Sequence, residues 1–104
     1  MPRESLKTLS EPMYYVLLSL TEERCGIEIM DKVKDLSGGR VTIGPGTLYT
    51  MLSKFEKYGI INEASVQPKR KNYIISEHGI SILKKEYKRL ARLAEDGREI
   101  MEEL

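Results

Sequence analysis

Apolar residues recur along this chain in three short helical stripes, then in two strand-like runs, then in one long stripe. Met13, Val16, Leu17 and Leu20 follow the i, i+3, i+4, i+7 spacing of one helix face, widened by Tyr14 and Leu18. Ser10 suits the N-cap and Glu11 the first turn, so this helix is expected to run to about Thr21. After the polar break Thr21-Glu22-Glu23-Arg24, the spacing returns at Ile29, Met30, Val33 and Leu36 and stops at Ser37-Gly38-Gly39. The third stripe is Leu48, Met51, Leu52 and Phe55, opened by a Gly44 cap with Pro45 in the first helical position and closed by Gly59. Residues 60–66 and 72–76 then have strand character. Three short helices followed by a hairpin is the order of a winged helix-turn-helix, so the expected fold is mainly α with a β-hairpin wing.

The last stripe is of another kind. Ser76 can cap a helix that starts at Glu77, after which Ile80, Leu83, Tyr87, Leu90, Ala94, Gly97, Met101 and Leu104 recur with strict 3-4-3-4 spacing. A three-helix body cannot bury so long a seam, and the surplus is expected to meet the same helix of another copy. Ala94 and Gly97 thin the seam and permit a close crossing or a kink. The alternative is that the distal part frays as a charged tail. The expected division is therefore 1–76 for a DNA-binding unit and 77–104 for a dimerisation helix.

The candidate chemistry lies on the polar side of the third helix. Gly46, Thr50, Ser53 and Lys57 occupy that face, with Thr47, Tyr49 and Lys54 along its borders. Small, hydroxyl and cationic groups suit a phosphate backbone and base edges, although the same composition also fits an ordinary solvated face. The free N–H groups at the helix start are suited to a phosphate as well. The two strands are joined by Gln67-Pro68-Lys69-Arg70-Lys71, the only run of three consecutive cations in the chain. A turn tipped with Lys69, Arg70 and Lys71 can lie along DNA, where each cation neutralises a phosphate, or can simply be solvated.

Charge sharpens this picture once it is divided along the sequence. The 104 residues carry a net charge of only +1, but residues 40–73 and 84–92 each hold +4 while 93–104 hold −4. Local potential steers a polyanion, and the positive charge sits on the proposed reader and on the start of the last helix. The length points to one folding unit. No apolar run is long enough to span a membrane, and Arg3, Glu4 and Lys7 interrupt any signal-peptide core, so a cytoplasmic protein without membrane association is expected. Cys25 and His78 are each the sole residue of their type, which gives no disulfide and no metal constellation. Cys25 reads as a small packing residue, with thiol sensing as the alternative. No nucleophile–base arrangement, phosphate loop or paired-carboxylate pocket stands out, so neither an enzyme nor a cofactor is expected.

Together these residues resemble the PadR family of bacterial transcriptional regulators over nearly the whole chain. The resemblance is carried by Leu17-Leu18-Ser19-Leu20, Gly26-Ile27-Glu28-Ile29, Gly46-Thr47-Leu48-Tyr49-Thr50-Met51-Leu52, Phe55-Glu56, Gly59-Ile60-Ile61, Lys69-Arg70-Lys71-Asn72-Tyr73 and Ser76-Glu77-His78-Gly79. It implies a homodimer held by the C-terminal helix packed with the first helix, and repression by operator binding. It also implies DNA contacts from Thr47, Tyr49, Thr50 and Lys54 in the recognition helix and from Lys69, Arg70 and Lys71 in the wing. The single helix after the wing looks like the smaller branch of the family. Ile27 stands where the family commonly has tyrosine, and the chain has no tryptophan for a flat aromatic drug-stacking site. Tyr14, Tyr15 and Tyr87 are the candidates for lining a small-molecule effector cleft, and a Tyr on an apolar face also serves as core. The expected function is a dimeric regulator, a repressor, that binds double-stranded DNA at a palindromic or pseudo-palindromic operator. The alternative is a protein-interaction module that recruits a partner through the acidic C-terminal helix.

Overall fold

The Ser10 hydroxyl accepts the Met13 N–H at 3.3 Å and opens helix α1 (Glu11–Ser19), with Pro12 in its first turn. The computed structural model describes residues 9–67 and 70–104. α1 stops earlier than expected because the chain tightens at its end. The Ser19 hydroxyl donates to the Val16 carbonyl at 2.6 Å, and that of Thr21 to the Leu18 carbonyl at 3.0 Å. The polar break that follows contains a two-residue strand, β1 (Arg24–Cys25), and leads into α2 (Gly26–Leu36). Ile29 and Val33 of α2 are buried, whereas Leu36, expected on the same stripe, is exposed. Gly38 and Gly39 take φ of 63° and 83°, the left-handed conformation that ends the helix without a Cβ penalty.

Helix α3 (Pro45–Lys57) buries the four residues of its stripe, Leu48, Met51, Leu52 and Phe55. Strands β2 (Ile61–Gln67) and β3 (Arg70–Ile75) form the wing. The sheet has one strand more than the expected hairpin, in the order β1-β3-β2, all antiparallel, with Arg24 opposite Tyr73 and Cys25 opposite Asn72. β2 is irregular between Glu63 and Val66, where two residues face one on β3, the arrangement of a β-bulge. Leu17, Leu20, Ile29, Leu48, Phe55 and Ile60 are fully buried where the three helices meet the sheet. Each such side chain stabilises the fold by roughly 1.5–3 kcal/mol relative to leaving it exposed.

Helix α4 (Glu77–Glu102) is tied to this body at its start. The Ser76 hydroxyl accepts the Gly79 N–H at 3.0 Å and lies 2.6 and 2.8 Å from the carbonyl oxygens of Gly59 and Ile60. Gly79, Leu83 and Glu86 are buried against the body. The Glu86 carboxylate accepts two bonds from Arg89, at 3.0 and 2.6 Å, and a further one from the Leu9 N–H. Those bonds hold its carboxyl below the usual carboxylate range. With 26 residues α4 is about 39 Å long, and everything beyond Arg89 except Gly97 is exposed. The projecting helix raises the radius of gyration to 15.4 Å, above the ~13 Å of a compact 100-residue domain. The architecture is thus a winged helix-turn-helix with a long C-terminal helix.

Candidate nucleic-acid interface

The buried stripe of α3 fixes what its other side presents. Gly46, Thr47, Tyr49, Thr50, Ser53, Lys54 and Lys57 are all exposed, as the spacing predicted. The Thr50 hydroxyl donates to the Gly46 carbonyl at 3.0 Å, which leaves its lone pairs outward as acceptors. Gly46, Thr47, Thr50 and Lys54 come together along an open groove of about 670 Å³, whose other wall is Ser10 and Met13 of α1. The wall at the start of α1 leaves no mark in the apolar spacing, because Ser10 reads only as a cap and Met13 as core. Ser53 and Lys57 lie outside the groove. The Tyr49 hydroxyl occupies the space that a Cβ on Gly26 would need, so this ring also serves the α2–α3 contact.

The wing carries internal ion pairs. Lys69 lies outside the described residues. Arg70 and Lys71, expected as phosphate ligands, each have an intramolecular carboxylate partner. The Arg70 guanidinium reaches Glu28 of α2 at 2.8 Å and donates to the Asn72 side chain at 3.2 Å, and the Lys71 ammonium reaches Glu63 at 3.0 Å. Asn72 in turn donates to Glu23 at 2.7 Å and to Ser65 at 3.1 Å, and the Ser65 hydroxyl also donates to Glu23. Glu28 additionally accepts the Cys25 N–H at 3.0 Å, at the positive end of α2. The electrostatics follow this network. The Cys25 N–H, then Arg70, holds the Glu28 carboxyl below the usual range, and Ser65 and Asn72 do the same for Glu23. Glu28 and Glu63 push Arg70 and Lys71 upward in return, so both stay cationic. The two carboxylate partners, Glu28 and Glu63, were not expected from the sequence. The spacing of Glu28 three residues after Cys25, which is that of a capping box, was the available signal.

The heptad seam divides. Leu83, 8% exposed, belongs to the chain's own core rather than to a free seam. Ile80, Tyr87, Leu90, Ala94, Met101 and Leu104 are exposed, and Gly97 is half-buried with nothing near the site of a Cβ. Leu93 and Ile100, outside the 3-4 count, are exposed beside them, because a 3.6-residue helix drifts relative to a seven-residue repeat.

Of the three tyrosines expected in one cleft, the structure brings together two. Tyr14 and Tyr87 line an apolar groove of about 480 Å³ between α1 and α4, with Leu18 and Leu83 beneath and Lys84 and Lys88 at its rim. Burial, then the neighbouring Tyr87, pushes the Tyr14 hydroxyl upward. Tyr15 meets Tyr14 edge-on at 6.0 Å but accepts a bond from Arg40 at 2.8 Å, away from that groove. Among the described residues no group of three or more His, Cys, Asp and Glu side chains is placed to hold a metal ion, and no helix is long and apolar enough to cross a membrane.

Against this geometry stand the known proteins. The sequence profile of the transcriptional regulator PadR-like family matches residues 16–85, from the middle of α1 through the wing into α4. A transcriptional regulator from Clostridium thermocellum superposes with a TM-score of 0.70 at 20% identity, over 86% of this chain and 90% of that one. For a PadR-like transcription factor from Bacteroides fragilis the values are 0.69 and 24%, over 86% and 87%. RosR of H. salinarum gives 0.68 and 20%, over 92% and 89%. At these identities the likeness is one of fold. Comparison with curated proteins found no match.

Proposed function

The chain belongs to the PadR-like family of transcriptional regulators, and from that premise we propose that it is a dimeric, sequence-specific DNA-binding repressor acting in the cytoplasm. In this reading α3 enters the major groove of a palindromic or pseudo-palindromic operator, and the wing lies on the adjacent backbone. The observation that carries it is the outward face of α3. Thr47, Thr50, Ser53, Lys54 and Lys57 stand exposed on a helix whose opposite face is locked into the core. Thr50 and Ser53 are the base readers, and Gly46 permits close approach. Lys54 and Lys57 are backbone ligands, as are Lys69, Arg70 and Lys71 in the wing.

Dimerisation is supported by the exposed apolar stripe of α4, and its charges favour one orientation. Residues 84–92 carry +4 and 93–104 carry −4, so antiparallel helices set the basic half of each copy against the acidic half of the other. With the crossing within a turn of Leu93, Ala94 and Gly97 let the backbones approach. The Tyr14–Tyr87 groove, flanked by this interface, is the site for a small apolar effector.

Selection of bound sequences from a random duplex library tests the function. An enriched inverted repeat, bound in a competitor-resistant mobility shift, is the expected result. Retention without sequence enrichment removes the operator reading, and absence of salt-sensitive retention removes DNA binding.

A further inference from the structure

The wing of this protein carries its own counterions, and their placement bears on how tightly it holds DNA. Arg70 opens β3, and Glu28 lies in the first turn of α2, yet their charged groups meet at 2.8 Å. Glu28 is not a passive neighbour. One of its oxygens accepts the Cys25 N–H while the other receives Arg70, so the carboxylate sits where a phosphate would sit, between a helix N-terminus and a guanidinium. Asn72 bridges Arg70 to Glu23, which places a second carboxylate beside the same cation.

We propose that Glu28 is an affinity-setting residue that competes with DNA phosphate for Arg70, so that binding proceeds by exchange of the Glu28 carboxylate for a backbone phosphate. The inference rests on the DNA-binding reading above. Two observations favour exchange over a permanent strut. Both side chains of the pair are open to solvent, at 45% and 44% exposure, and exposed pairs gain little net free energy over their solvated partners. The second carboxylate, Glu23, keeps Ser65 and Asn72 when Arg70 leaves, so the β2–β3 pairing does not depend on the Arg70–Glu28 contact. Lys71 is placed differently. Its partner Glu63 lies on β2 of the same hairpin rather than on α2.

The test is a double-mutant cycle on the full chain with a fixed duplex: wild type, Glu28→Gln, Arg70→Ala and the combination. Gln at 28 keeps an acceptor for the Cys25 N–H, and a thermal melt checks that each variant folds. Exchange predicts that Glu28→Gln tightens binding roughly two- to fivefold, the scale of an exposed ion pair, and that this gain largely disappears in the Arg70→Ala background. An affinity unchanged or weakened by Glu28→Gln overturns the proposal and makes the pair a strut. An equal gain with and without Arg70 also overturns it, since Glu28 would then act only as a general negative charge. If the wild type binds no duplex, it is the DNA-binding reading that fails.

Discussion

Gly79 faces the backbone carbonyl oxygen of Ile60 with no room for a methyl group between them. The Ile75 side chain closes the same space, so the first turn of α4 rests directly on the entry to the wing. Gly79→Ala is therefore expected to cost about 1–3 kcal/mol, the usual scale of overpacking against atoms that cannot move aside. Ser76→Ala, which removes the cap bonded to Gly79 and to the carbonyls of residues 59 and 60, is expected to cost about 1–2 kcal/mol. Urea denaturation at fixed protein concentration measures both.

The face of α3 separates two kinds of effect. Lys54→Ala and Lys57→Ala should weaken binding to specific and nonspecific duplex alike, and each should lower the salt slope by about one for the phosphate it no longer neutralises. Thr50→Ala and Ser53→Ala should instead change which sequences are selected, at about 1–3 kcal/mol per altered base pair. Unchanged preference in a repeated library selection would reduce those hydroxyls to positioning.

The fold was legible because its helices announce themselves. The α3 stripe Leu48, Met51, Leu52, Phe55 and the punctuation by Gly44, Pro45 and Gly59 appear in the structure as read. Strand β1 was not legible, since two residues in a polar break show no period and Arg24–Cys25 becomes a strand only by pairing with β3. The carboxylate partners of Arg70 and Lys71 were hidden for a similar reason. Glu28 is 42 positions from Arg70, and only the path of the wing over α2 brings them together.

The orientation of α4 can be read by zero-length carbodiimide coupling of a mixture of isotopically light and heavy protein. An antiparallel pair is expected to yield links between a lysine of residues 84–88 and a glutamate of residues 99–103 across the two isotopic forms. Within one straight helix the 11 residues from Lys88 to Glu99 span about 16 Å, too far for such a link. Gly97→Leu should weaken association tenfold or more in sedimentation equilibrium by spacing the helices apart. A monomer at all concentrations would sink the dimer, while a dimer joined by like-position links would sink only its orientation.

Acid should loosen the chain in a defined window. The Glu86 carboxyl is lowered from 4.5 by the Arg89 bonds, and those of Glu23 and Glu28 are lowered by their own donors. A carboxyl depressed in the folded state contributes its stability in full above the unfolded value and loses it as pH falls through the folded value. Melting temperature is therefore expected to hold between neutrality and about pH 5 and to fall below about 4.5. Glu86→Gln should lower the neutral plateau and flatten the acid limb.

The irregularity of β2 between Glu63 and Val66 gives the wing a fulcrum. Behind it, β3 is gripped on both edges, by β1 and by β2. Beyond it the ladder continues between β2 and β3, Val66 opposite Lys71 and Gln67 opposite Arg70, and Arg70 is tied to Glu28 of α2. A change at residue 64 or 65 therefore alters the angle at which Arg70 and Lys71 are presented, and one at Ser65 also loosens the tie from β2 to Glu23.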